Sequence, residues 1–163
     1  MEEKDALAEI INALAEHEEA TSQLYQLYSE QFSDYHDFWV GLASDKLNHA
    51  GWIRMLKGGI YAGDVKFKRD RFSLDQISSS IGFIRVQVDF AHRSEVSLMQ
   101  AFATAVGIEE SAMEKGFFNI FEGDAPQLQQ ILIDVRISMR EHCQKIKALY
   151  DEIRPGLQWQ VNR

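Results

Sequence analysis

Four side chains that can bind a cation or exchange protons interrupt the apolar stripes of this sequence: Glu18, His49, Glu110 and His142. A charged or imidazole side chain in a helical core costs several kcal/mol unless it is paired, protonated or bound to a cation. Two carboxylates and two imidazoles form a ligand set that suits iron, manganese or zinc. The four residues therefore predict either a metal site or a polar core that neutralises itself.

The spacing of these residues divides them into two similar pairs. Glu18 precedes His49 by 31 residues, and Glu110 precedes His142 by 32. Each pair flanks a predicted turn between two long helices. At a rise of about 1.5 Å per residue, the members of each pair lie within about one helical turn of the same height. All four side chains are expected to converge in one interior layer.

Apolar residues that recur every three or four positions predict the helices that carry this layer. The prediction is helix one at about 4–32, helix two at about 35–57, an extra helix at about 74–92, helix three at about 95–122, helix four at about 126–153 and a tail at 154–163. Gly58 and Gly59 are expected to end helix two, and Pro155 with Gly156 to end helix four. The expected fold is an all-α four-helix bundle, built from two helical hairpins and a long crossover that contains the extra helix.

Composition narrows the class of protein further. A chain of 163 residues with 45% hydrophobic content predicts a single domain over 1–163. The net charge of −8 argues against a nucleic-acid partner. The acidic beginning does not resemble a signal peptide, and no apolar stretch approaches the length of a bilayer, so a cytoplasmic protein without a membrane partner is expected. The single cysteine, Cys143, excludes a four-cysteine iron or zinc site within the chain.

Three segments resemble the helices of the ferritin-like di-iron carboxylate bundles, and most closely their rubrerythrin-like branch. They are 17–20 leading to Leu24 and Tyr25, 42–50, and 108–112 leading to Phe117 and Phe118. The resemblance covers roughly Leu7 to Ile153.

The resemblance implies oxygen or peroxide chemistry at a metal, or iron handling, in a homodimer or higher homo-oligomer. It implies that Glu18 and Glu110 are anionic ligands and that His49 and His142 are neutral ones. An external electron donor is required for redox chemistry, because the chain has no cysteine quartet of its own.

The sequence departs from the family at both bridging glutamates. The two Glu-x-x-His motifs of the family become Lys46-x-x-His49 and Met139-x-x-His142. Two carboxylates and one ammonium leave a single net negative charge, which poorly neutralises two divalent cations. One metal ion at the four candidate residues remains an alternative. Asp45, four residues before His49, is a possible substitute ligand, although a surface carboxylate is the simpler interpretation.

A second interpretation needs no metal. The ammonium of Lys46 lies one helical turn before His49, where it can neutralise Glu18 and Glu110 directly. The charge count favours this Glu–Lys–Glu core over one bound metal ion. In that case the protein acts as a structural or interaction protein rather than an enzyme.

Overall fold

The computed structural model describes residues 2–63, 66–67, 74–117, 121–122 and 125–161. Within these ranges there are five α-helices: Glu2–Gln31 (α1), His36–Ala62 (α2), Leu74–His92 (α3), Leu98–Glu114 (α4) and Pro126–Val161 (α5). A short 3-10 helix, Ser33–Tyr35, joins α1 to α2. Lys66–Phe67 (β1) pairs antiparallel with Phe121–Glu122 (β2), with Lys66 opposite Glu122. Apart from this two-residue pairing, the regular elements in the described ranges are helical, which confirms the prediction of an all-α protein.

Two predicted helix ends are wrong, because the helices continue through the glycines and the proline that were expected to end them. Helix α2 continues through Gly58 and Gly59 to Ala62. It ends at Gly63, whose left-handed backbone (φ 84°) lets its amide donate to the last carbonyls. Helix α5 contains Pro155 and continues to Val161, so most of the predicted tail is helical. A proline removes one backbone donor and can kink a helix without ending it.

Helix α4 is shorter than the predicted third helix at both ends. It begins with a capping box: Ser97 Oγ accepts from the amide of Gln100, and the Ser97 amide donates to Gln100 Oε1. It ends at Glu114, and Gly116 then adopts a positive φ of 63° that redirects the chain. The predicted continuation to residue 122 is therefore wrong, and 118–120 lie outside the described residues.

Buried apolar side chains form two clusters, one toward each end of the helices. The first is built around Ile11, Leu14, Ile53, Ile77 and Leu132. The second is built around Leu24, Trp39, Ile84, Phe102 and Ile146. Each helix contributes to both clusters, and the order along the chain shows that α1, α3 and α5 run in one direction and α2 and α4 in the other. The five helices therefore share one interior that is apolar at both ends.

The contacts between helices group four of them into two hairpins. Helix α1 packs on α2, α4 packs on α5, and α3 lies mainly against α1. No helix in the described part of the chain is both long enough and apolar enough to cross a membrane.

Candidate functional site

A layer of polar side chains separates the two apolar clusters. Its members are all at most 3% exposed, and they are His17, Glu18, Lys46, His49, Glu109 and His142. The layer lies near the middle of α1 and α2, where polar residues interrupt the buried apolar stripes of these helices. A polar group at this depth has to find its partners inside the protein.

The ammonium of Lys46 lies between two carboxylates that have no access to solvent. Lys46 Nζ is 3.2 Å from Glu18 Oε2 and 2.9 Å from Glu109 Oε2. The hydroxyl of Tyr25 donates to the other oxygen of Glu109 at 2.9 Å. Helices α1, α2 and α4 thus each supply one charge to a buried Glu–Lys–Glu cluster. Such charges are stable in a core because each has a bonded partner of opposite sign.

Burial and charge act in opposite directions on the protonation of this cluster. Burial alone would raise the pKa of Glu18, but Lys46 and the hydrogen-bonded His49 outweigh it and hold that pKa at about 2. Burial likewise disfavours the Lys46 ammonium, yet Glu109 and Glu18 raise its pKa above the ordinary value. Burial, followed by Glu109, raises the pKa of Tyr25 well above its usual range. At neutral pH Glu18 is therefore ionised, Lys46 is charged and Tyr25 is a hydrogen-bond donor.

Glu110 does not join the layer, which corrects one of the four predicted site residues. Its side chain is 40% exposed and pairs with Lys147 on the surface of α5. The adjacent Glu109 faces the core instead, because consecutive helical residues point about 100° apart. The buried stripe of α4 contains Ala105, Ile108 and Ala112 together with Glu109. Apolar residues adjoin Glu110 as well, including Met113 one helical turn later, but Met113 is 41% exposed. The spacing of apolar residues in α4 therefore gave no decisive signal for Glu109.

His49 and His142 do converge, and their rings stack with centroids 5.4 Å apart. His49 Nδ1 lies 3.3 Å from Glu18 Oε2, and its Nε2 lies 2.7 Å from Ser138 Oγ. His142 Nε2 lies 2.8 Å from Asp45 Oδ2 and 3.4 Å from Ser138 Oγ. Asp45 is 49% exposed, so it is a partly solvated carboxylate that nevertheless turns toward the site. Ser138 joins both imidazoles, and no pattern in the sequence had singled it out.

The contacts determine which imidazole nitrogens carry protons. An ionised carboxylate can only accept, so His49 Nδ1 donates to Glu18 and His142 Nε2 donates to Asp45. In neutral His49, Nε2 then accepts from the Ser138 hydroxyl. Burial lowers the pKa of His142, which keeps that ring neutral at neutral pH. Among the described residues, the remaining nitrogen of His142, Nδ1, is buried and has no hydrogen-bond partner.

The predicted four-ligand metal set does not fit this arrangement. Glu110 lies on the surface, and the Glu18 oxygen nearest the site is bonded to Lys46, a group that cannot coordinate a metal while charged. Across the described ranges, no group of three or more histidine, cysteine, aspartate or glutamate side chains is arranged to hold a metal ion. Lys46, Glu18 and Glu109 instead pair their charges with one another, while Glu18 Oε1 and His142 Nδ1 have no hydrogen-bond partner among the described residues.

No model of a protein family matches this chain, and no match is found among curated proteins or among solved structures. Its function has to be inferred from the residues of the site.

Proposed function

We propose that this chain is a rubrerythrin-like member of the ferritin-like bundles in which Lys46 takes the place of the metal, and that it acts as a metal-independent structural or interaction protein. The observation that carries this proposal is the position of Lys46 Nζ, 3.2 Å from Glu18 and 2.9 Å from Glu109. In a metal-binding bundle, a cation bridges carboxylates from facing helices. Here a covalently attached cation bridges them.

The helix directions support the ferritin-like part of the proposal. Helices α1 and α2 form one hairpin, and α4 and α5 form a second. Because α2 and α4 run in the same direction, the chain has to return along the length of the bundle between them. Helix α3 covers that distance, since its residues begin in one apolar cluster and end in the other. Two hairpins joined by a long crossover are the topology of that superfamily.

An exposed apolar stripe on α2 supports the interaction role. Val40, Leu47 and Met55 are 41%, 47% and 62% exposed. Their spacing of seven and eight residues places them on one face of the helix, with Gly51 between them. Exposed apolar side chains aligned on one helix face are candidates for a contact between subunits. The proposed partner is a second copy of the chain.

Metal analysis tests the central proposal. Protein purified without added metal and then incubated with ferrous iron, zinc or manganese is expected to retain less than about a tenth of an equivalent after gel filtration. The matched control is Lys46→Glu with Met139→Glu, which restores the two bridging carboxylates of the family motif. That variant is expected to take up iron if it folds. Stoichiometric metal in the wild-type protein would refute the metal-independent role.

A second candidate function retains one metal ion for redox chemistry with an external electron donor, or for iron handling. The observation that favours it is the convergence of two histidine Nε2 atoms on Ser138, with the Asp45 carboxylate 2.8 Å from one of them. Two imidazoles and one carboxylate are a recognised ligand set for iron. In this case the bound metal of wild-type protein would be lost in His142→Ala and in Asp45→Asn, while Glu110→Gln would retain it.

A further inference from the structure

A groove between α3 and α4 adjoins the polar layer, with which it shares His17, and has the features of a ligand site. It exists because α3 packs mainly against α1, leaving a space of about 320 Å³ beside α4. This volume lies at the small end of the range for sites that bind small molecules, which begins at about 300 Å³. Apolar walls from Phe83, Ile84 and Ile108 line it together with several polar groups.

Lys115 and Ser80 form a cationic subsite within the groove. Lys115 Nζ lies 3.2 Å from Ser80 Oγ, and Ser111 lines the same groove. Lys115 also lies over the ring of Phe117, 5.9 Å from its centroid. No acidic side chain is among the described residues that line the groove. An ammonium with hydroxyl donors and no competing carboxylate is suited to an anionic group such as a carboxylate.

His17 forms the floor of this subsite. It is 3% exposed, and its ring packs edge-on against Phe117, so His17 and Lys115 contact the same aromatic ring. Its Nδ1 lies 3.9 Å from Glu18 Oε1, which is beyond hydrogen-bonding distance. A buried imidazole without a hydrogen-bonded ring partner among the described residues has an N–H available for a ligand.

Gly107 keeps the groove open. An added Cβ at this position would find no atom within 4 Å, and the backbone does not adopt a positive φ there. Neither backbone strain nor crowding therefore requires glycine at this position. Alanine would also make the helix more stable than glycine does. A larger residue would extend into the space that Gly107 lines.

We propose that this groove binds a small monocarboxylate with an aromatic or branched apolar body. Its carboxylate would contact Lys115, the Ser80 hydroxyl and the His17 imidazole. Its apolar body would lie against Phe83 and above Gly107. The contacts with Lys115 and Ser80 do not depend on whether the other members of the polar layer bind a metal.

The probes are benzoate, phenylacetate and isovalerate, titrated into the full chain and followed by amide and histidine-ring NMR shifts. We expect saturable shifts at Ser80, Gly107 and His17 with millimolar or tighter affinity. Phenylacetamide, which lacks the charge, should bind the wild-type protein at least about tenfold more weakly than phenylacetate does. Phenylacetate should also bind Lys115→Gln at least about tenfold more weakly than it binds the wild-type protein. Inorganic phosphate tests whether charge alone is sufficient, and it should also bind at least about tenfold more weakly.

Two glycine variants give a matched test of the groove itself. Gly107→Leu should weaken phenylacetate binding at least about tenfold, whereas Gly82→Leu should change it less than about twofold. Gly82 is also a helical glycine with nothing within 4 Å of an added Cβ, but it does not line the groove. The proposal is wrong if none of the three acids perturbs the groove at about 10 mM, or if the two leucine variants have equal effects. It is also wrong if phosphate binds as tightly as phenylacetate.

Discussion

Replacing Lys46 with methionine removes the central cation and keeps most of the side-chain volume. Glu18 and Glu109 are both 0% exposed and would then face each other without a partner of opposite charge. Breaking a buried ion pair costs about 3–5 kcal/mol. The protonation of Glu18 gives a second estimate: lowering its pKa from 4.5 to about 2 corresponds to about 3 kcal/mol of stability. We therefore expect Lys46→Met to lower the free energy of unfolding by at least about 3 kcal/mol.

Urea denaturation at pH 7, followed by circular dichroism, measures this loss. Lys145→Met is the matched control, because Lys145 is exposed on α5, and it should change the free energy of unfolding by less than about 0.5 kcal/mol. Adding Glu18→Gln and Glu109→Gln to Lys46→Met removes the unpaired charges and should recover part of the loss. A change of less than about 1 kcal/mol for Lys46→Met would show that the buried cluster is not held together by this ammonium.

Three further predictions test other parts of the structure. Because folding lowers the pKa of Glu18, the contribution of Glu18 to the free energy of unfolding is fully present above pH 4.5 and is lost as the pH falls toward about 2. Unfolding measured at a series of acid pH values should show this loss in the wild-type protein and a much smaller loss in Glu18→Gln. Glu109→Gln should destabilise the protein by about 2 kcal/mol or more in urea, whereas Glu110→Gln should cost less than about 0.5 kcal/mol, since the latter breaks only a surface ion pair. Equal effects would contradict the assignment of Glu109 to the core. Leu47→Glu should weaken self-association, measured by sedimentation velocity, at least about tenfold. Val86→Glu, at a similarly exposed apolar position on α3, should not weaken it. A monomeric wild-type protein would contradict the proposed α2 interface.

Spacing along the chain does not identify which residues hydrogen-bond to the two imidazoles. Asp45 and Ser138 each lie four residues before a histidine of the site, one on α2 and one on α5. That spacing places each on the same helix face as its histidine. Their hydrogen bonds, however, run between the two helices, from His142 to Asp45 and from Ser138 to His49. Only the packing of α2 against α5 decides these partners.

The sequence by itself determined the helical class, the bounds of α3 and the positions of Glu18, Lys46 and His49 on the buried faces of their helices, because helical periodicity depends only on local spacing. It could not choose between Glu109 and Glu110, since both adjoin apolar residues of α4. The tertiary structure made that choice: Tyr25 from α1 and Lys46 from α2 reach Glu109 and so fix the rotation of α4. Partners on other helices decide which of two adjacent charged residues is buried. The spacing of residues along the chain does not show where those partners lie.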